Sequence, residues 1–148
     1  MRKRKEIRET LVTYLGASVN LPTITAYRVY PHWSATVPVI NIITGAEEPE
    51  DEDGVMGGYV IRNMDLIFEI ITKADDGGLI DDYDMEIESL LDSDSSPLES
   101  ITTDGKKTIM NLWPGVFDEP EFLSEGEDPI IKTRIHWALK YIELIGGE

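Results

Sequence analysis

A chain of 148 residues with 41% hydrophobic content is long enough to bury a core within one domain, and a wholly disordered chain is excluded. It has no cysteine, so disulfides, thiolate chemistry and cysteine-based zinc sites are excluded as well. The formal net charge is −16 and is unevenly spread: Arg2, Lys3, Arg4, Lys5 and Arg8 face Glu6 alone in the first eight residues, which leaves residues 9–148 at −20. A body that negative repels phosphate and argues against sequence-specific DNA binding.

The basic opening reads in two ways: solvated positive residues at a helix start, or a tail that touches an acidic partner or neighbouring subunit. No apolar run has the roughly 18 residues of a membrane span. No signal-peptide core follows the charged start, which predicts a protein made in the cytoplasm with no membrane partner.

The first predicted element is a helix over 2–16. Ile7, Leu11, Tyr14 and Leu15 share one stripe, the cations are expected on the exposed side, and Gly16 supplies a stop. Two compact strands follow, Ile24–Tyr30 and Val37–Thr44, expected to pair antiparallel across the loop from His32, with Pro38 at a strand start or edge. The run Glu47-Glu48-Pro49-Glu50-Asp51-Glu52-Asp53-Gly54 reads as self-repelling, so residues 45–58 are predicted to be a mobile loop.

A long strand is predicted over Tyr59–Thr72. Met64, Leu66, Phe68 and Ile70 lie on its buried face; Asn63, Asp65, Ile67, Glu69 and Ile71 lie on a face that is half solvated or turned to a subunit. Leu79–Leu91 has a helical stripe with acids in its first turn, where the helix dipole favours them. Lys107–Trp113 is a predicted strand after the Asp104-Gly105 turn, and residues 114–129 a second long loop. The last apolar pattern, within 130–145, suits either period; the alternation of Ile131, Thr133, Ile135, Trp137, Leu139 and Tyr141 with polar residues is the cleaner match and predicts a strand. The expected fold class is therefore α+β: a single domain over 1–148, with a mostly antiparallel or mixed sheet of about five strands and two helices in the order α-β-β-β-α-β-β.

No pattern assembles a reaction centre. His32 and His136 have no partners at ligand spacing and read as surface or boundary histidines. Asp92-Ser93-Asp94 begins like a calcium loop, but Pro97 and Thr103 stand where glycine and glutamate are needed. Phosphate-binding glycine loops and serine elbows are missing, so neither an enzyme activity nor a cofactor is expected. Strand aromatics are expected in the core. Trp33, Phe117 and Phe122 stand in loop-like segments, either folded back on the domain or serving as anchors at a protein interface.

Ile7-Arg8-Glu9-Thr10-Leu11-Val12 looks like the opening helix, and Arg28-Val29-Tyr30-Pro31 followed by Val37-Pro38-Val39-Ile40-Asn41-Ile42 like the recurring strand pair, of one family. The acidic loop, the strand Arg62–Thr72, the helix Asp81–Leu91 and the closing strand Ile130–Tyr141 follow in the same order. Over nearly its whole length the chain thus resembles the tail terminator (minor tail or tail completion) proteins of long-tailed bacteriophages. The resemblance implies a structural virion protein without a cofactor: a ring, usually a hexamer, assembled in the host cytoplasm at the head-proximal end of the tail. Such a ring ends polymerisation of the tail tube protein and presents a surface to the head–tail connector, and DNA passes through it without specific binding.

On that footing the loops 45–58 and 114–129 are expected to make tube or neighbour contacts. The interface candidates are Arg2, Lys3, Arg4, Lys5, Trp33, Glu48, Asp51, Asp53, Phe117 and Phe122, with the four cations in intersubunit ion pairs. Two other readings are a neck protein on a similar scaffold and an acidic DNA mimic that inhibits a nucleic-acid-binding enzyme.

Overall fold

The computed structural model describes residues 2–26, 37–49, 55–123 and 129–145. Its spine is a pair of long antiparallel strands, β4 (Tyr59–Lys73) and β9 (Ile130–Leu144), in register from Tyr59↔Leu144 to Lys73↔Ile130. Burial along β9 alternates residue by residue, which is the strand period. A helix would have buried Ile131, Ile135, Leu139 and Ile142 together; instead Tyr141 is buried and Ile142 only partly so.

Around this pair the sheet runs β1-β2-β4-β9-β7, where β1 is Thr23–Ala26, β2 is Val39–Pro49 and β7 is Ile109–Phe117. Two short strands extend it: β3 (Val55–Met56) on β4, and β8 (Glu121–Leu123) on β9. A separate hairpin joins β5 (Thr102–Thr103) and β6 (Lys106–Lys107) across Asp104-Gly105, both at positive φ. Helices α1 (Lys3–Gly16) and α2 (Gly78–Leu91) supply apolar stripes to the core: Ile7, Leu11 and Leu15 from α1, and Ile80, Tyr83, Ile87 and Leu91 from α2. Opposite them stand Ile40 and Ile42 of β2, Leu66, Phe68 and Ile70 of β4, and Trp137 of β9. Phe68 and Trp137 meet edge to face, centroids 6.4 Å apart. The α+β class and the order of the main elements are as the periodicity predicts.

The structure corrects four details. First, β1 and β2 pair in parallel, Thr23↔Val39 to Ala26↔Ile42, because the connection between them is long enough for a crossover. The rest of the predicted first strand, 27–30, lies outside the described residues.

Second, the described residues of 45–58 are largely strand. Strand β2 continues through Gly45 to Pro49 across a bulge between Thr44 and Glu47, and β3 folds back through Gly57-Gly58, both at positive φ. Gly45 gives close clearance there, since a Cβ would stand 3.0 Å from Ile67 Cδ1 and 3.2 Å from the Asp65 carbonyl and those neighbours would have to shift. The acids of 50–54 lie outside the described residues. Third, 114–129 is not one loop. Strand β7 runs on to Phe117 through an irregularity between Pro114 and Phe117, and β8 re-pairs with β9. Pro114 is tolerated because β7 is an outer strand, and Gly115 because a Cβ would sit 2.7 Å from the His136 carbonyl oxygen. Fourth, the second face of β4 is less solvated than its sequence predicts: Ile67, Glu69 and Ile71 are all buried.

Leu11→Ala is expected to cost about 2–5 kcal/mol in urea unfolding, since Leu11 is fully buried in the helix–sheet core. Val19→Ala, at a 95% exposed position, should change stability by less than about 0.5 kcal/mol.

Candidate functional site

The basic opening is built into the subunit. Glu143, the last core-facing residue of β9, reaches the start of α1 and accepts the Lys3 backbone N–H at 2.9 Å. It thus caps a helix whose own N-cap residue, Arg2, makes no side-chain cap bond. Arg2 Nε and Arg62 Nε donate to Glu143 at 3.2 and 2.9 Å. Arg2 Nη2 also donates to Glu47 Oε1 at 2.7 Å, and the Tyr141 hydroxyl to Glu47 Oε2 at 2.6 Å.

Burial pushes the Glu143 carboxyl up, but the Lys3 N–H and the Arg2 and Arg62 guanidiniums outweigh it and hold the group below its ordinary value. Burial and the Glu47 carboxylate hold the Tyr141 hydroxyl protonated far above the ordinary tyrosine range. Here the run Glu47-Glu48 departs from its prediction as self-repelling, because Arg2, Arg4 and Arg62 all stand within 4.0 Å of Glu47.

The expectation that all four cations pair with a neighbouring subunit is therefore corrected for Arg2 and Lys3, whose partners lie in their own subunit. Lys3 is buried, its Nζ donating to Glu6 Oε2 at 3.0 Å and to the Thr102 carbonyl at 2.8 Å. Arg2 is held by Glu47 and Glu143. Arg4 donates to the Thr44 and Gly45 carbonyls at 2.7 and 3.2 Å and lies 3.7 Å from Glu47; Arg8, absent from the sequence-based candidates, donates to Thr44 Oγ1 at 2.7 Å. Lys5 is exposed, 3.9 Å from Glu9 one helical turn on. Arg4, Lys5 and Arg8 line an open cationic groove against Ile43, Thr44 and Gly45.

At the other lateral side of the sheet, β7 is an outer strand with an apolar surface. Met110, Trp113, Val116 and Phe117 are exposed along it, and Phe122 of β8 is 71% exposed. Outer strands normally carry charge or proline to discourage pairing, and this one carries exposed apolar side chains. Phe117 and Phe122 thus stand out from the domain and are not folded back on it. Trp113 does not take the core place predicted for strand aromatics, because its strand has a neighbour on one side only. Trp113 and Val116 share a groove of about 530 Å³ with Glu48, Asn63, Asp65 and His136 on the sheet's second face. Trp33, Asp51 and Asp53 lie outside the described residues.

His136 fastens this region to the spine. Its Nδ1 lies 2.9 Å from Asp65 Oδ2 and its Nε2 2.8 Å from Asp118 Oδ2, while the Asp118 N–H donates to the Arg134 carbonyl at 2.9 Å. The two carboxylates come from β4 and from just beyond β7, so no local spacing announced them. Partial burial lowers the imidazole's proton affinity, but the bonds to Asp118 and Asp65 outweigh it and raise it overall. Only the imidazolium donates at both nitrogens. Among the described residues, no group of three or more histidines and carboxylates is placed to share a metal ion. No described helix is long and apolar enough to cross a membrane.

In comparisons with known proteins, no family model matches the chain and no curated protein matches it.

Two measurements check this geometry. Glu143→Gln should destabilise the fold by about 2–3 kcal/mol, below the range for a fully buried pair because Arg2 is half exposed. The parent's Glu143 contribution is present above the ordinary carboxyl value and lost as pH falls through the lowered folded value, so the variant should show a shallower acid limb in pH-dependent unfolding. For His136 the sign reverses. Its contribution is full below the ordinary value of 6.5 and is lost as pH rises through the raised folded value. The urea midpoint should therefore fall as pH rises above 6.5 in the parent and less steeply in His136→Gln.

Proposed function

We propose that the protein is a structural virion component that caps the tail tube of a long-tailed phage as an oligomeric ring, ending tube polymerisation and forming the head–tail joining surface. The observation that carries the reading is the apolar β7–β8 edge, where Met110, Trp113, Val116, Phe117 and Phe122 stand exposed on a rigid sheet. Such an edge fits protein docking, by strand addition or by aromatic anchoring. The order of elements that carries the resemblance to tail terminators supports the rest. The role needs no cofactor and no covalent chemistry. The charged groups nearest the edge, His136, Asp65 and Asp118, hold one another and so fit a positioning role. A body of net charge −20 favours free passage of DNA through the ring.

The test is assembly with purified tail tube protein, read by negative-stain microscopy and pull-down. The parent should form closed rings and cap tube ends. Trp113→Glu with Phe122→Glu should lower capture of tube or neighbouring subunits at least about tenfold, while the circular dichroism spectrum stays unchanged. Capture of portal-side adaptors in place of tube subunits would assign the chain to the neck instead.

A further inference from the structure

The two lateral sides of the helix layer carry opposite charge. Helix α1 lies on the β1–β2 side, where Arg4, Lys5 and Arg8 line the cationic groove. Arg8 bonds a neutral oxygen, Thr44 Oγ1, which fixes its guanidinium without cancelling its charge, while Arg4 shares Glu47 with Arg2 and Arg62, three guanidiniums against the two carboxylates Glu47 and Glu143. Helix α2 lies toward the other side, where Met85, Glu88 and Asp92 share a groove with Leu112 and Pro114 of β7 and with Trp137. Within Gly78–Leu91 there are five acids and no basic residue. Asp84 is held above the ordinary carboxyl value by burial and by its neighbours Glu88 and Asp81, a sign of crowded negative charge. Met85 is 71% exposed, and the buried Trp137 indole N–H has no partner among the described residues.

We infer that the cationic groove beside α1 of one copy receives the acidic, apolar α2–β7 flank of the next copy. The inference rests on the proposed reading of the chain as a ring-forming subunit and names the surfaces that make the contact. A patch at one end of the sheet that fits a different patch at the other end makes a heterologous contact. Repeated around an axis, such a contact closes a ring. Charge complementarity selects the occupant: three cations on a strongly acidic molecule fit an acidic protein surface, and the nearest one is the flank of an identical subunit. A DNA phosphate backbone would also suit three cations, but it meets the repulsion of the whole body. The exposed Met85 and the β7 edge add apolar area beside the charges, which long-range attraction alone would leave weak and salt-sensitive.

The experiment reverses each side in turn. Lys5→Glu with Arg8→Glu, and separately Glu88→Lys with Asp92→Lys, should each weaken self-association at least about tenfold in sedimentation velocity at low salt. A chain carrying all four changes should regain association to within about threefold of the parent, and an equal mixture of the two double variants should co-assemble with alternating subunits. If Arg8→Glu disturbs the helix by circular dichroism, Lys5→Glu against Glu88→Lys makes the same comparison at two exposed positions.

Unchanged association in the double variants overturns the inference, as does loss without recovery in the folded four-change chain. A parent that stays monomeric at high concentration also overturns it. So does a labelled DNA duplex that binds the parent tightly and is released by Lys5→Glu with Arg8→Glu. A parent that forms charge-swappable rings yet ignores tube protein retains the inference and removes the tube-cap reading.

Discussion

The structure depends on one long strand pairing. Strands β4 and β9 match over their full 15-residue lengths, and every other strand of the sheet except β1, which pairs with β2, is bonded to one of them. Strand β2 is laid on the outer side of β4, β7 and β8 on the outer side of β9, and the helices cover the face that Leu66, Phe68 and Trp137 share. Because side chains alternate along both strands, this single register decides which residues face the core and which stand on the second face. A slip of one residue would exchange the two sets.

The same register places the charged groups. Glu143 stands at the end of the core-facing row of β9, level with Val60 and next to Arg62 of β4, so it reaches both the start of α1 and the guanidiniums there. His136 stands opposite Ile67 on the second face, between Asp65 of β4 and Asp118 beyond β7. One charged cluster anchors a helix and the other anchors the edge of the sheet. Both convert the alternation of a central strand into fixed positions for the molecule's outer surfaces. The proposed assembly role draws on this arrangement, since an exposed apolar edge on a well-tied sheet has little entropy left to lose on meeting a partner.

The central scaffold was legible before any coordinates. The period of two in 59–72 and 131–141 and the helical stripes of 7–15 and 80–91 are strong local signals, and each element formed where its pattern placed it. Less legible were the segments whose fate depends on a distant partner. Glu47 and Glu48 read as a repelling loop, yet Arg2, Arg4 and Arg62 neutralise Glu47 from elsewhere in the chain, and β2 runs on through it. Residues 114–117 carry proline and glycine and read as a loop, but an outer strand tolerates both. Arg2 and Lys3 read as free surface charge because their partners, Glu143 and Thr102, are far away in sequence.

By itself, the sequence determined the α+β class, the two long strands, both helices and most of their buried faces, because periodicity is a local property that burial amplifies. It also carried the charge asymmetry and the absence of cysteine chemistry. Only the tertiary structure decided the parallel pairing of β1 with β2, the exposure of Trp113 on an outer strand, the burial of Lys3 and the pairing of Arg2 with Glu47 and Glu143. Each of these turns on which distant segments become neighbours, and that is set by the closing of the sheet, which no window of a few residues encodes.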